Sequence, residues 1–270
     1  MHIIANDVIK SATLTASSTA SGFSVDNLKS DLKASTWRST SVSSQTITAT
    51  WSSAQNVNAV GIAFANFLVN STVRVRLFTN TGDLSPIQDS GIQTISFVYA
   101  PPAGFSANNL SSFAYGGGNY HFTTITQASI RKLEVIMSNP AGTDTFVEVS
   151  RIVAGRSFNP EYGARLGASV GFTDMTLAEK TDAGNTVIDR RPVSKVIDVE
   201  LPALSMEERA TMQEIVRRNG KHTPTFISGL TGGALGARQD FSIYGTFEDL
   251  APMVFYSPNL NSYSMRIKEI

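Results

Sequence analysis

Alternating apolar and polar positions recur along the first half of the chain and predict β-strands that are covered on one face. Apolar side chains occupy every second position in three segments, TITATW at 46–51, VRVRL at 73–77 and LEVIM at 133–137. A period of two is typical of strands with one buried and one solvated face. The run AVGIAFANF at 59–67 is apolar on both faces and predicts a central strand. The spacing of these strands, without a convincing helix between them, predicts a sandwich.

Several motifs in this half occur in the order expected of one known fold. They are Asn27-Leu28, STWRST at 35–40, ITATW at 47–51, NVNAVGIAFANF at 56–67, RKLEVIM at 131–137 and FVEVSRIVAG at 146–155. Together they resemble the galactose-binding-like (discoidin-type) jelly roll over roughly residues 1–155. The resemblance implies an eight-stranded antiparallel sandwich whose loops at one end often hold sugars in relatives.

One segment departs from that pattern and predicts a long loop. Residues 81–125 are rich in Gly, Ser, Asn, Phe and Tyr. Loops of this length are usually functional or are ordered by a partner. We therefore expect this segment to be ordered when the chain is assembled with other molecules.

A glycine-rich stretch predicts the boundary between two domains. Residues 155–171 read GRSFNPEYGARLGASVG, and turn-prone residues concentrate where few contacts cross between domains. The predicted organisation is a sandwich at 1–155, a linker at 156–172 and a second module at 173–270.

The second half contains one strong helix signal among predicted strands. Ser205 and Glu208 form a capping box, and Asn219-Gly220 supplies a helix end that tolerates positive φ. The predicted strands are VIDVEL at 196–201, FI at 226–227, DFSIYGTF at 240–247 and YSMRIKEI at 263–270. The fold class is therefore mainly β, with a β-sandwich (jelly roll) followed by a smaller α+β or β-barrel-like domain with one helix.

The second half contains several motifs in a defined order. The motifs are YG at 162–163, GFTD at 171–174, VIDRRP at 187–192, SMEER at 205–209, YGTFEDL at 244–250 and IKEI at 267–270. Their order resembles that of phage tail proteins, and the layout is similar to the ring-forming module of distal tail proteins. It implies a structural component of a tail tip or baseplate, synthesised in the bacterial host cytoplasm and located in the virion.

Composition and charge exclude several classes of partner. The chain has 22 basic and 22 acidic residues, so no global field attracts nucleic acid or an anionic membrane. It has no cysteine, which excludes disulfides and thiolate metal sites. The first residues lack a basic flank before an apolar stretch, so we expect no signal peptide, and no apolar run is long enough to span a membrane.

No catalytic pattern is present, and we expect a protein that is not an enzyme and holds no cofactor or metal. His2, His121 and His222 are isolated, without metal-ligand spacing. The loop GLTGGALG at 229–236 lacks the Lys-Ser/Thr of a phosphate loop. Paired carboxylates remain an alternative that sequence cannot measure.

Two groups of residues are candidates for ligand binding. Trp37 and Arg38 form either a sugar platform or a structural pair, in which the indole fills the sandwich and the arginine bonds loop carbonyls. Tyr115, Tyr120 and His121 lie beside a triple glycine, where they form either an interface anchor or a locally packed loop.

The terminal strand is the predicted site of self-association. Its residues Tyr263, Met265, Arg266 and Ile267 alternate up to the last residues, and an edge strand offers unpaired backbone groups to a second copy. Contacts repeated by rotation close into a ring, with a hexamer favoured over a trimer and the tail tube and hub as further partners. The alternative function is a carbohydrate-binding adhesin that recognises host surface glycans.

Overall fold

The computed structural model describes residues 1–68, 70–95, 118–140, 144–229, 239–257 and 260–270. The first nine strands are β1 His2–Ile4, β2 Thr13–Ala16, β3 Trp37–Arg38, β4 Gln45–Ala65, β5 Thr72–Phe78, β6 Gln88–Asp89, β7 Gln93–Thr94, β8 Asn119–Ser138 and β9 Glu148–Gly155. They are followed by β10 Ser169–Asp174, β11 Leu177–Lys180, β12 Thr186–Asp189, β13 Val193–Leu204, α1 Met206–Asn219, β14 Thr225–Ser228, β15 Ser242–Asp249, β16 Val254–Ser257 and β17 Leu260–Glu269. The predicted mainly β class is confirmed, and the described residues contain one α-helix of full length, α1.

Strands β2–β9 form the sandwich module, a jelly roll built around two long strands. β4 and β8 pair antiparallel along most of their lengths, with register shifts between them. The first half of β4 pairs with β2 and its second half with β9, so this strand takes part in both layers. Alternate side chains of these strands fill the core between the layers, among them Ile47, Val60 and Leu133.

Strand β1 and all elements from β10 onward form the C-terminal module. Its main sheet has the order β1-β14-β15-β17-β13-β10, with β16 paired to β17, and β11–β12 is a separate hairpin. Helix α1 contributes Met212 and Ile215 to the core on one face of this sheet. The helix prediction is confirmed in detail, because Ser205 and Glu208 form the reciprocal capping box.

Three sequence predictions about connections need correction. β1 lies in the sheet of the C-terminal module, because it pairs with β14. β10 begins inside the predicted linker. Within the predicted loop at 81–125, β6 and β7 pair with β5, and β8 begins at Asn119. Residues 96–117 of that loop lie outside the described residues.

The two modules pack against each other through the outer faces of β4 and β9. Every residue of β9 is buried, because one face points into the sandwich core and the other toward the C-terminal module. Ala59, Ala63 and Val153 form a joint cluster with Phe226 and Tyr244. The two apolar faces of residues 59–67 therefore reflect two separate cores, and the predicted central strand is confirmed.

A buried arginine also joins the modules. Arg151 of β9 donates to the Leu28 carbonyl at 2.8 Å, to the Tyr244 hydroxyl at 3.1 Å and to the Asp7 carboxylate. Burial raises the pKa of Asp7, while the charge of Arg151 opposes that shift. The Tyr244 hydroxyl donates to Asp31 at 2.6 Å. Side chains from both modules therefore satisfy this buried charge, as a buried ion requires.

Candidate functional site

Three loops meet at one end of the sandwich and are held together by a buried asparagine. The backbone N–H of Asn139 donates to the Val42 carbonyl at 3.0 Å, and its side-chain amide donates to the Asn66 carbonyl at 2.9 Å. Its side-chain oxygen accepts from the Ser71 hydroxyl at 2.7 Å. A satisfied network of this kind fixes loop positions. We call this end of the sandwich the loop end.

The predicted sugar platform at Trp37 is not available to a ligand. Trp37 is fully buried in the sandwich core. Its indole N–H donates to the Ser18 carbonyl at 3.2 Å and lies 3.3 Å from the Thr19 hydroxyl. A fully buried ring cannot stack on a sugar, so the structural alternative describes Trp37 correctly.

Arg38 lies at the loop end between two aromatic rings. Its guanidinium carbon is 4.0 Å from the ring centroid of Phe23 and 4.0 Å from that of Phe146. The same group donates to both oxygens of Glu148 at 3.2 and 3.0 Å. Arg38 therefore bonds a carboxylate rather than the loop carbonyls of the structural alternative. We call Phe23, Arg38 and Phe146 the aromatic clamp.

Glu148 holds the clamp from within the sandwich. It lies in β9, is nearly buried, and also accepts from the Thr36 hydroxyl at 2.6 Å. Because the carboxylate accepts from two sides, the guanidinium plane is fixed before any ligand arrives. The sequence does carry a signal for this residue: Glu148 is the single charge within the apolar run FVEV at 146–149. Such a charge requires a buried partner.

The surface around the clamp suits recognition of a polar ligand. Phe23 and Phe146 are half-buried, and Asp144 beside them is exposed and accepts from the Asn66 amide at 3.0 Å. Hydroxyl groups line the neighbouring loops, from Ser17, Ser18, Thr40, Ser41 and Ser43. The arrangement offers aromatic faces with hydrogen-bonding groups around them.

Of the second group of candidate residues, Tyr120 lies at the junction of the modules. Tyr120 is buried in β8, and its hydroxyl bonds the carboxylate of Glu269. His121 is half-buried, with its Nε2 2.8 Å from the Thr123 hydroxyl. Tyr115 lies outside the described residues. The prediction that Tyr120 and His121 sit on a flexible loop is therefore wrong, because both belong to a paired strand.

The predicted edge position of the terminal strand is also wrong. β17 lies inside the sheet, paired with β13 on one side and β15 on the other. Tyr263, Met265 and Ile267 are buried in the core of the C-terminal module. Arg266 points to the other face and donates to Glu248 at 2.6 Å. Both sets of backbone groups in this strand are already paired, which removes the reason to expect self-association through it.

Neither a metal-ligand cluster nor a membrane-spanning helix occurs in the described ranges of the chain. No group of three or more His, Cys, Asp or Glu side chains in these ranges is placed to hold a metal ion. No helix among the same residues is both long and apolar enough to cross a membrane. His2 lies 3.3 Å from the Ser157 hydroxyl, and burial, followed by the charge of the N-terminus, lowers its pKa to about 4.

Comparison with known proteins identifies the sandwich. The family described as "Anaphase-promoting complex, subunit 10 (APC10)" matches residues 2–163. The chain belongs to the APC10 family. This match covers both layers of the jelly roll, and the predicted galactose-binding-like fold is confirmed. No curated protein matches the chain significantly.

Several solved structures are similar to this APC10-family chain. Chitosan-binding module 1 of a Paenibacillus sp. IK-5 chitosanase/glucanase is 18% identical, with 56% of this chain and 99% of that one covered and a TM-score of 0.39. The lectin domain of lectinolysin, complexed with Lewis B antigen, is 13% identical, with coverages of 57% and 98% and a TM-score of 0.38. CBM32 of AlyQ, in complex with 4,5-unsaturated mannuronic acid, is 16% identical, with coverages of 55% and 95% and a TM-score of 0.34.

Proposed function

We propose that the chain is a non-enzymatic recognition protein whose sandwich binds a carbohydrate at the loop end. The observation that carries the proposal is the aromatic clamp, with Arg38 fixed between Phe23 and Phe146 by Glu148. Sugars present C–H faces that pack on aromatic rings and hydroxyl groups that bond to fixed polar groups. A site that is fixed before binding loses little entropy when the ligand arrives.

The proposal is tested by glycan binding of the full chain and of two clamp variants. A glycan array identifies a ligand, and titration calorimetry then compares the wild type with Phe23→Ala and Phe146→Ala. We expect each variant to bind about tenfold more weakly or worse, because an aromatic anchor is worth more than about 1.4 kcal/mol. Phe255→Ala is the control, since Phe255 lies in β16 of the other module.

Two outcomes of the glycan experiment would overturn this function. One is the absence of binding to any glycan on the array. The other is equal affinity for wild type and both clamp variants, which would place any glycan away from the loop end. Thermal melts should show that both variants remain folded, as expected for half-buried rings at a surface.

We also infer a second function, as a structural subunit of a phage tail tip or baseplate. In this role the chain forms a ring, with six copies favoured over three, and contacts tube and hub proteins in the virion. The description of its family, which names a subunit of a multiprotein complex, supports a docking role. An exposed arm of the C-terminal module, described below, also supports it. Native mass spectrometry of the chain and immuno-electron microscopy of phage particles test the ring and its location.

A further inference from the structure

A long ribbon extends from the C-terminal module and ends in an exposed hairpin. β10 pairs with β13 from Ser169↔Asp198 to Asp174↔Val193, and β11–β12 continues the ribbon beyond them. All residues of β11 and β12 are exposed. A two-stranded hairpin is marginally stable by itself in water. We call residues 169–191 the arm.

The arm and its base carry a concentration of exposed apolar side chains. Six of the sixteen exposed large hydrophobic residues in the described part of the chain are Leu166, Phe172, Met175, Leu177, Val187 and Ile188. A whole large apolar residue has a surface of about 150–200 Å². The exposed parts of these six side chains therefore amount to roughly 600 Å² of apolar surface. A partner in a standard interface contributes about 800 Å². Most of a stable interface is therefore available on this one feature.

The outer edge of β10 has no partner strand among the described residues. β10 is the last strand of its sheet and pairs only with β13. Such an edge leaves backbone N–H and C=O groups able to pair with another strand. The opposite end of the sheet differs, because the β1 residue Ile3 exchanges two backbone hydrogen bonds of 2.8 Å with Phe158.

The sequence of β10 complements itself when two copies run antiparallel around Gly171. In that register Val170 faces Phe172 of the second copy, and Ser169 faces Thr173. Aromatic–β-branched and hydroxyl–hydroxyl pairs are favourable cross-strand neighbours. A Cβ built on Gly171 meets nothing within 4 Å, so the centre of this register is open.

Charge does not oppose the pairing of two arms. The arm contains four acidic residues, Asp174, Glu179, Asp182 and Asp189, and three basic ones, Lys180, Arg190 and Arg191. Its net charge is therefore −1. Two copies therefore repel each other only weakly. A strongly charged partner would meet no opposite charge of similar size on the arm.

We infer that β10 pairs antiparallel with β10 of a second copy of this chain, centred on Gly171, so that the hairpin of each copy lies against the base of the other copy's arm, near Leu166. The contact is two-fold symmetric, with the same patch on both copies. This inference rests on the proposed self-association of the chain and names one surface where two copies meet; a two-fold contact joins two copies, or two rings, and does not itself close the ring. It is independent of the glycan site at the loop end.

The first test is a disulfide between two copies. Because the chain has no cysteine, Gly171→Cys introduces a single thiol at the centre of the contact. Facing residues of an antiparallel pair have Cα atoms about 4.5–5.5 Å apart, within the range that a disulfide spans. We expect mild oxidation to convert Gly171→Cys to a covalent dimer. Gly82→Cys is the matched control, since Gly82 is also exposed with open space around it.

The second test compares two charge substitutions by size-exclusion chromatography with light scattering. Phe172 and Phe255 are each 61% exposed and lie in the same sheet. Phe172→Asp places a charge opposite the apolar Val170 of the second copy and diagonal to the same substitution there, so we expect dimerisation to weaken at least tenfold. Phe255→Asp should dimerise like the wild type.

Each outcome bears on the inference. A wild type that stays monomeric at the highest soluble concentration overturns self-association altogether, including the ring, and leaves glycan binding unaffected. Oligomers that persist in Phe172→Asp, or equal cross-linking of the two cysteine variants, overturn the β10 surface alone. A dimer lost in Phe172→Asp and cross-linked only through Gly171→Cys supports it.

Discussion

At the scale of single residues, small side chains determine how closely the modules approach. Gly61 lies on the outer face of β4, where a Cβ would meet the ring of Phe226 at 2.8 Å. Phe226 in turn stacks on Phe122, with centroids 5.9 Å apart. Three residues further along β4, Phe64 adopts a φ of 57° and packs edge-on against Tyr120 at 5.4 Å. A bulky residue at positive φ persists only where its surroundings fix it.

We predict that Gly61→Ala destabilises the chain by about 1–3 kcal/mol, because the added methyl group overpacks the junction. Urea unfolding measures the change, with Gly82→Ala as the control at an open position. Adding Phe226→Leu to Gly61→Ala should recover part of the loss, since the two sites share one contact. Equal stability of Gly61→Ala and Gly82→Ala would show that the modules do not pack this closely.

At the scale of elements, features that depend on residues close in sequence are predicted correctly, whereas features that depend on distant strands are not. The capping box of α1 depends on residues three apart, and the alternation in β5 depends on residues two apart; both features form as predicted. Whether β17 lies at an edge depends on β13 and β15, and its own sequence carries no signal for either. Alternation identifies a strand and its faces, but it does not identify the neighbours on either side.

The same distinction holds for the candidate site. The sequence identifies Arg38 as a candidate, because the Trp-Arg motif is local. It does not identify Phe23 and Phe146, because they come from loops 15 residues before and 108 residues after Arg38 in the chain. The lone charge of Glu148 was the available signal, and it indicates a buried partner without identifying which one.

Lys195 in β13 should make the stability of the chain depend on pH. Its ammonium group donates to the Gln239 carbonyl at 3.1 Å and to the Ser242 carbonyl at 3.0 Å. Burial lowers its pKa to about 8 from the ordinary 10.5, although Glu269 and Asp240 oppose the shift. Between these two pH values the unfolded chain holds a proton that the folded chain has released. Stability should therefore rise as pH increases through this window.

The prediction is measured by urea unfolding between about pH 8 and pH 10. Lys195→Met should remove part of the rise, whereas the wild type keeps it. The difference between the two proteins isolates Lys195 from Lys33, whose pKa is also lowered by burial. Identical slopes of stability against pH in both proteins would contradict this account of Lys195.

At the scale of the whole molecule, strand pairing crosses the domain boundary that the sequence predicts near residue 155. The glycine content indicates where the chain passes from one module to the other, but it does not indicate that β1 belongs to the sheet of the C-terminal module. This strand has three residues and pairs with β14, more than 200 residues later. Long-range pairing of so short a segment leaves no periodic pattern to detect. Whether each module folds independently stays a prediction.

We predict that the C-terminal module needs β1 in order to fold. Ile3 is fully buried in its core, and the Asn219 amide donates to the Ala5 carbonyl at 2.9 Å. Fragment 168–270 lacks both contacts and should show no cooperative melt, whereas fragment 1–158 keeps every strand of the sandwich and should show one.

In the full chain, Ile3→Ala should lower the free energy of unfolding by about 2–5 kcal/mol, with Ile87→Ala as the half-exposed control. Because the lost side chain belongs to the C-terminal core, hydrogen exchange should accelerate in β14 and β15 before β4. Uniform acceleration would mean that the two modules unfold as one unit, and a cooperative melt of 168–270 alone would show that β1 is dispensable.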